Sequence, residues 1–139
     1  MLNLPVGDIM NDHPIKVKAD TLVKNVAHLL LRIRVSGVLV MDVRDPEKLV
    51  GVFTIRDLLH LMGESVSRRR QKMQALSSVG NQPVGNFIKD PLVTLQVNDS
   101  AAKAVGLMHK KDAVTIPVYD GGRLVGVVGR HDIINVAFQ

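Results

Sequence analysis

At 139 residues, with 46% hydrophobic and 22% charged positions, the chain suits one domain or two small halves sharing a core, and is too apolar for disorder. The absence of Cys removes disulfides, thiolate nucleophiles and Cys-based zinc sites and suits a reducing cytoplasm; one Tyr, three Phe and no Trp leave little for stacking on a base. A net charge of +5 favours anionic partners without choosing among nucleotides, nucleic acid and acidic proteins.

In chain order, Val6 to Met10 reads as a short helical turn, and Pro14 turns the chain toward an extended Ile15-Lys16-Val17. Leu22, Val26, Leu29, Leu30 and Ile33 then recur at helical spacing, with Asp20 or Thr21 as the N-cap. Val38 to Met41 and Leu49 to Phe53 are aliphatic, β-branched runs and read as buried strands, and a closing helix begins at Ile55. From Gly63 to Gln82 the chain starts helically, over Ser65 to Leu76, and ends as a linker from Ser77 to Pro83.

The same order then returns. Val84 to Ile88 is a turn, Pro91 leads into an extended Leu92 to Leu95, and Ala101, Ala104, Val105 and Met108 mark a helix capped by Asp99 or Ser100. Strands follow at Val114 to Tyr119 and Leu124 to Val128, and a helix opens at Arg130. Pro117 suits an edge or strand-start position rather than a central one. Each copy is therefore a β-α-β-β-α unit, with residues 1–63 the first, 64–82 a partly helical basic linker and 83–139 the second.

The repeat is legible residue by residue. Val6-Gly7 returns 78 residues on as Val84-Gly85, and Asp42 as Asp120 at the same distance. Leu49-Val50-Gly51 returns only 75 on, as Leu124-Val125-Gly126, because a longer turn after Asp42 is replaced by the hairpin signal Gly121-Gly122. Length changes confined to a turn are what a structural repeat tolerates, and a repeated unit implies paired sites lying between the copies.

Taken together, Val6-Gly7-Asp8-Ile9-Met10, the Pro14-Ile15-Lys16-Val17 strand, the amphipathic helix, Ile116-Pro117-Val118-Tyr119-Asp120 and the Gly-x-x-Thr-x-x-Asp close at Gly51 to Asp57 resemble the CBS domain family. The tandem pair resembles a Bateman module over nearly the whole chain. The resemblance implies an α/β (α+β) fold in which two β-α-β-β-α repeats pack through their sheets with pseudo-twofold symmetry. It also implies clefts that take AMP, ADP, ATP or S-adenosylmethionine, and a homodimer. By the family's pattern, the base would lie against Ile15, Val38 and Leu39 in one cleft and against Val93, Ile116 and Pro117 in the other. Each of these aliphatics reads equally as plain core, Val38 and Ile116 above all.

Thr54 ends a strand and Asp57 lies in the first turn of the next helix, where orphan N–H groups attract phosphate. Thr54 would donate to the phosphate, Asp57 would accept from the ribose hydroxyls, and Arg56 lies between them. The same Thr-x-x-Asp pattern is a capping box, which accounts for both residues without a ligand. In the second copy Gly129 replaces the threonine while Asp132 keeps the carboxylate, so Arg130 and His131 become the local cations. The two sites are thus expected to differ, with the Thr54 site the better host for a phosphorylated ligand.

Three functions compete. Regulatory adenosyl-ligand sensing passes its signal to an unknown effector protein or a further part of a longer polypeptide. A nucleic-acid or acidic-protein binder would use Arg68-Arg69-Arg70-Gln71-Lys72, which otherwise reads as a solvated helix face. Enzymatic chemistry lacks a nucleophile and base pair, a phosphate-binding glycine loop, and any metal-ligand spacing among His13, His28, His60, His109 and His131. No catalytic cofactor is expected. The longest apolar run, interrupted at His28 and Arg32, is far too short to span a membrane.

Overall fold

A computed structural model of the chain describes residues 2–67, 72–88 and 92–138. Arg68 to Gln71 of the basic cluster and Pro91 lie outside the described residues. The elements are β1 (Lys16–Lys18), α1 (Val23–Ile33), β2 (Gly37–Met41), β3 (Leu49–Thr54), α2 (Ile55–Ser67), α3 (Lys72–Gly80), β4 (Leu95–Gln96), α4 (Ala101–Lys111), β5 (Thr115–Asp120), β6 (Arg123–Gly129) and α5 (Arg130–Ala137). Short 3-10 turns at Val6–Asp8 and Val84–Phe87 open the two copies.

The strands form two three-stranded sheets, β1-β2-β3 and β4-β5-β6, each with one parallel and one antiparallel pairing. The fold is mixed α+β, as expected from the order of the elements. Both antiparallel pairs carry the same irregularity. Val40 faces Gly51 and Met41 faces Leu49, leaving Val50 as the extra residue, while Val118 faces Gly126 and Tyr119 faces Leu124, leaving Val125. The doubled Leu-Val-Gly is therefore a doubled β-bulge, which bends each strand at the same place.

The chain divides into two compact units, residues 15–90 and residues 1–14 with 91–139. The opening turns are consequently exchanged relative to the repeat. Val6 is fully buried in the core of Leu95, Ala101, Ile116, Val118 and Val128, whereas Val84 is fully buried among Val26, Leu30, Val38, Val40 and Phe53. Backbone hydrogen bonds hold each turn, from Val6 N–H to the Asp99 carbonyl at 2.8 Å and from Val84 N–H to the Thr21 carbonyl at 2.8 Å. Close approach explains the glycine that follows each valine. A Cβ on Gly85 would stand 2.9 Å from the Ala19 Cβ and 3.0 Å from its carbonyl oxygen.

Further along, Asn11 exchanges two backbone hydrogen bonds with Val127, at 2.8 and 2.9 Å, extending the β6 edge of its sheet. Gly126 makes this possible, since a Cβ there would lie 2.7 Å from the Asn11 carbonyl oxygen. The predicted two-residue hairpin is present, and Gly121 takes the left-handed conformation it requires, with φ +63°.

Four details depart from the sequence expectation. The N-cap of α1 is Leu22, not Asp20 or Thr21, because the first helical N–H, of Val23, donates to the Gln82 carbonyl at 3.0 Å and needs no side chain. Ser100 does cap α4, accepting from the Lys103 N–H at 3.1 Å. Ser77 to Gly80 continue α3 as helix instead of beginning the linker. Ile33 and Val105 are exposed, so the buried stripes are Val23, Val26 and Leu30 on α1 and Ala101 and Ala104 on α4.

The fourth departure is Pro117, which stands in β5, the central strand of its sheet. Its counterpart 78 residues earlier is Leu39, whose N–H donates to the Ile15 carbonyl at 2.9 Å. Proline has no N–H, so the matching bond to Val93 cannot form, and β4 begins only at Leu95, opposite Val118. A central proline is tolerated because the neighbouring strand starts beyond it.

Candidate functional site

Each closing helix starts directly at the end of a strand, and the first N–H of each is taken up in the same way. The Ile55 N–H donates to the Ser36 carbonyl at 2.9 Å, and the Arg130 N–H to the Val114 carbonyl at 3.1 Å. These bonds bring the start of β2 beside the start of α2, and the start of β5 beside the start of α5. Candidate residues far apart in sequence are thereby gathered within each unit.

At α2 the capping box is complete. Asp57 Oδ2 accepts from the Thr54 backbone N–H at 2.8 Å and from the Thr54 hydroxyl at 3.0 Å, while the Asp57 N–H donates to Thr54 Oγ1 at 3.1 Å. Both residues are half-buried. The hydroxyl hydrogen that the sequence reading reserved for a phosphate is already donated to Asp57. The other carboxylate oxygen, Oδ1, takes no part in the box.

At α5 only half of that arrangement exists. Asp132 Oδ2 accepts from the Gly129 N–H at 2.7 Å, but glycine has no hydroxyl, and the Asp132 N–H receives no side-chain cap. Arg130 and His131 are exposed on the first turn, as is Arg56 at the other helix, where it makes an interaction of its own.

Strand register reveals what the sequence reading missed. In the first sheet Gly37 is the cross-strand partner of Thr54, and in the second Thr115 is the partner of Gly129. The glycine and the threonine have changed places between copies. Thr115 is 8% exposed, and its Oγ1 is buried without a hydrogen-bond partner among the described residues. Aligning the copies puts Gly37 against Thr115 and Thr54 against Gly129, but only the pairing of β5 with β6 makes these two differences one feature.

The predicted aliphatic walls occupy varied positions. Val38 and Ile116 are fully buried members of the two cores. Leu39 and Pro117, next along each strand, are also buried, with their side chains on the opposite sheet face. Ile15 and Val93 are half-buried and pack against the margins of the cores. Among the described residues there is no group of three or more His, Cys, Asp or Glu able to hold a metal, and no helix is long and apolar enough to cross a membrane.

The CBS domain profile matches residues 6–64 and 84–138, nearly the whole chain in two copies. Inosine-5'-monophosphate dehydrogenase of Mycobacterium tuberculosis is 32% identical over 122 residues, covering 87% of this chain. The chain spans about a fifth of the length of that relative, which is 20% covered. Among solved structures, the CBS-domain containing protein ATU1752 from Agrobacterium tumefaciens superposes with a TM-score of 0.81 at 21% identity, covering 99% of this chain and 96% of that one. CBSX2, solved in complex with AMP, superposes with a TM-score of 0.75 at 27% identity, covering 98% and 97%.

Proposed function

Because the chain belongs to the CBS domain family and carries two copies of that domain, we propose that it is a regulatory module that senses an adenosyl ligand: AMP, ADP, ATP or S-adenosylmethionine. The observation that carries this reading is the pair of half-buried carboxylates, Asp57 and Asp132. Each is held by one oxygen at a helix start, at 2.8 Å from the Thr54 N–H and 2.7 Å from the Gly129 N–H, with the second oxygen outside the cap. A fixed carboxylate with an uncommitted oxygen suits the donor pair of a ribose diol. The AMP complex of CBSX2 supports the same ligand class.

In this reading Asp57 and Asp132 accept from ribose hydroxyls, and Arg56, Arg130 and His131 supply positive charge toward phosphate. Ile15 with Leu39, and Val93 with Pro117, flank the base, while Val38 and Ile116 support them from the core. Thr54 is a positioning residue that sets the Asp57 carboxylate through the capping box. The output is a change in the protein's conformational balance, which a ligand drives only through unequal affinity for two states.

A thermal-shift panel of AMP, ADP, ATP, S-adenosylmethionine and NAD tests the class, since a ligand that binds only the folded state raises its stability by about 2.7 kcal/mol at a hundredfold excess over Kd. Calorimetry on Asp57→Asn and Asp132→Asn then tests the residues. Each substitution keeps an acceptor for the cap and is expected to lower affinity at its own site by about tenfold. A panel with no shift, or affinities unchanged in both variants, removes the proposal.

A further inference from the structure

Beside the start of α5 stands a buried polar atom without a hydrogen-bond partner among the described residues, Oγ1 of Thr115, a residue only 8% exposed, and the Asp132 N–H of the same helix start has no side-chain cap. A buried hydroxyl without a partner is costly, and such groups persist where something outside the chain completes them. Thr115 and Gly129 are directly opposed in an antiparallel pair, so the Thr115 side chain rises from the sheet face on which a Gly129 side chain would stand. That face opens on the helix start, since a Cβ on Gly129 would lie 3.6 Å from Asp132 Oδ2.

We propose that Thr115 donates its hydroxyl hydrogen to a phosphoryl oxygen of the adenosyl ligand at the start of α5, making the second copy the phosphate-selective one. The inference rests on the adenosyl-sensing reading above and deepens it. It also reverses the order expected from sequence, where Thr54 marked the first copy as the phosphate host. Thr54 is an N-cap, so its hydroxyl is spent within the protein at 3.0 and 3.1 Å. Moving the hydroxyl one strand across, to Thr115, removes it from the capping geometry while keeping it beside the same helix start. Gly129 puts no side chain in that space and gives the Asp132 N–H no side-chain acceptor, and Arg130 adds charge on the exposed side.

The test compares AMP with adenosine by titration calorimetry on the unaltered chain, Thr115→Val and Thr115→Ser. Valine matches threonine in shape, so the fold is retained and only the hydroxyl is lost. We expect Thr115→Val to weaken AMP at one site by about tenfold or more while adenosine changes by less than about twofold, with Thr115→Ser close to the unaltered chain. The melting temperature of ligand-free Thr115→Val should rise, because an unsatisfied buried hydroxyl has been removed.

AMP affinity unchanged in Thr115→Val overturns the inference while leaving adenosyl sensing in place. Equal losses for AMP and adenosine overturn it too, by assigning the hydroxyl to the nucleoside. A lower melting temperature in Thr115→Val means that the hydroxyl is satisfied in the ligand-free protein, which also removes the argument. Failure of the unaltered chain to bind either probe overturns the sensing reading, and this inference with it.

Discussion

At the residue scale, a single hydroxyl placed at two different positions separates the copies. Thr54 at the end of β3 is both donor and acceptor within its capping box, so its loss falls on stability. Thr54→Ala is expected to lower unfolding free energy by about 1 kcal/mol, the usual worth of an N-cap, as measured by urea denaturation. AMP affinity should change by less than about twofold if the side chain only positions Asp57; a larger loss would return Thr54 to direct ligand contact. Thr-x-x-Asp was legible as a cap or as a phosphate site, and nothing local could choose between them. The choice lies in where the hydroxyl hydrogen points, which depends on the backbone angle at which β3 enters α2.

Between elements, the doubled glycines mark where one segment crosses another. The segment carrying Met10 and Asn11 runs against Gly126, where a Cβ would meet Met10 Sδ at 2.6 Å and the Asn11 carbonyl oxygen at 2.7 Å. The methionine sulfur can swing aside, but the Asn11 carbonyl is fixed by its own hydrogen bond to the Val127 N–H at 2.9 Å. Gly126→Ala should therefore cost about 2 kcal/mol, in the range of overpacked cores. Gly122→Ala, with nothing within 4 Å of the added Cβ, should stay within about 0.5 kcal/mol. Equal melting temperatures for the two variants would mean that the crossing is loose. A similar economy of neighbours explains Pro117: by removing one N–H it shortens β4, a consequence visible only once β5 is known to be central.

For the whole molecule, the decisive feature is that the repeat and the compact units do not coincide. Residues 15–90 are continuous, whereas the other unit combines 1–14 with 91–139. Removing residues 2–14 takes Val6 from the core beside Leu95 and Ala101 and strips the backbone partner of Val127. Hydrogen exchange of the shortened chain should show protection lost across β5 and β6 before β2 and β3, since local stability follows local burial. Simultaneous loss everywhere would mean that the exchanged turn supports both units equally.

The sequence by itself determined the repeated β-α-β-β-α order, the two strands and closing helix of each copy, the hairpin at Gly121-Gly122 and the family, because periodicity, turn residues and repeated motifs are local signals. It also carried the Thr54 and Gly129 difference that makes the copies unequal. Only the tertiary structure decided the exchange of the opening turns, the paired bulges, the central place of Pro117 and the opposition of Thr115 to Gly129. Those features arise from pairing between residues distant in the chain. A hydroxyl's meaning depends on the strand it faces, and strand register is set by packing across the sheet rather than by its neighbours in sequence.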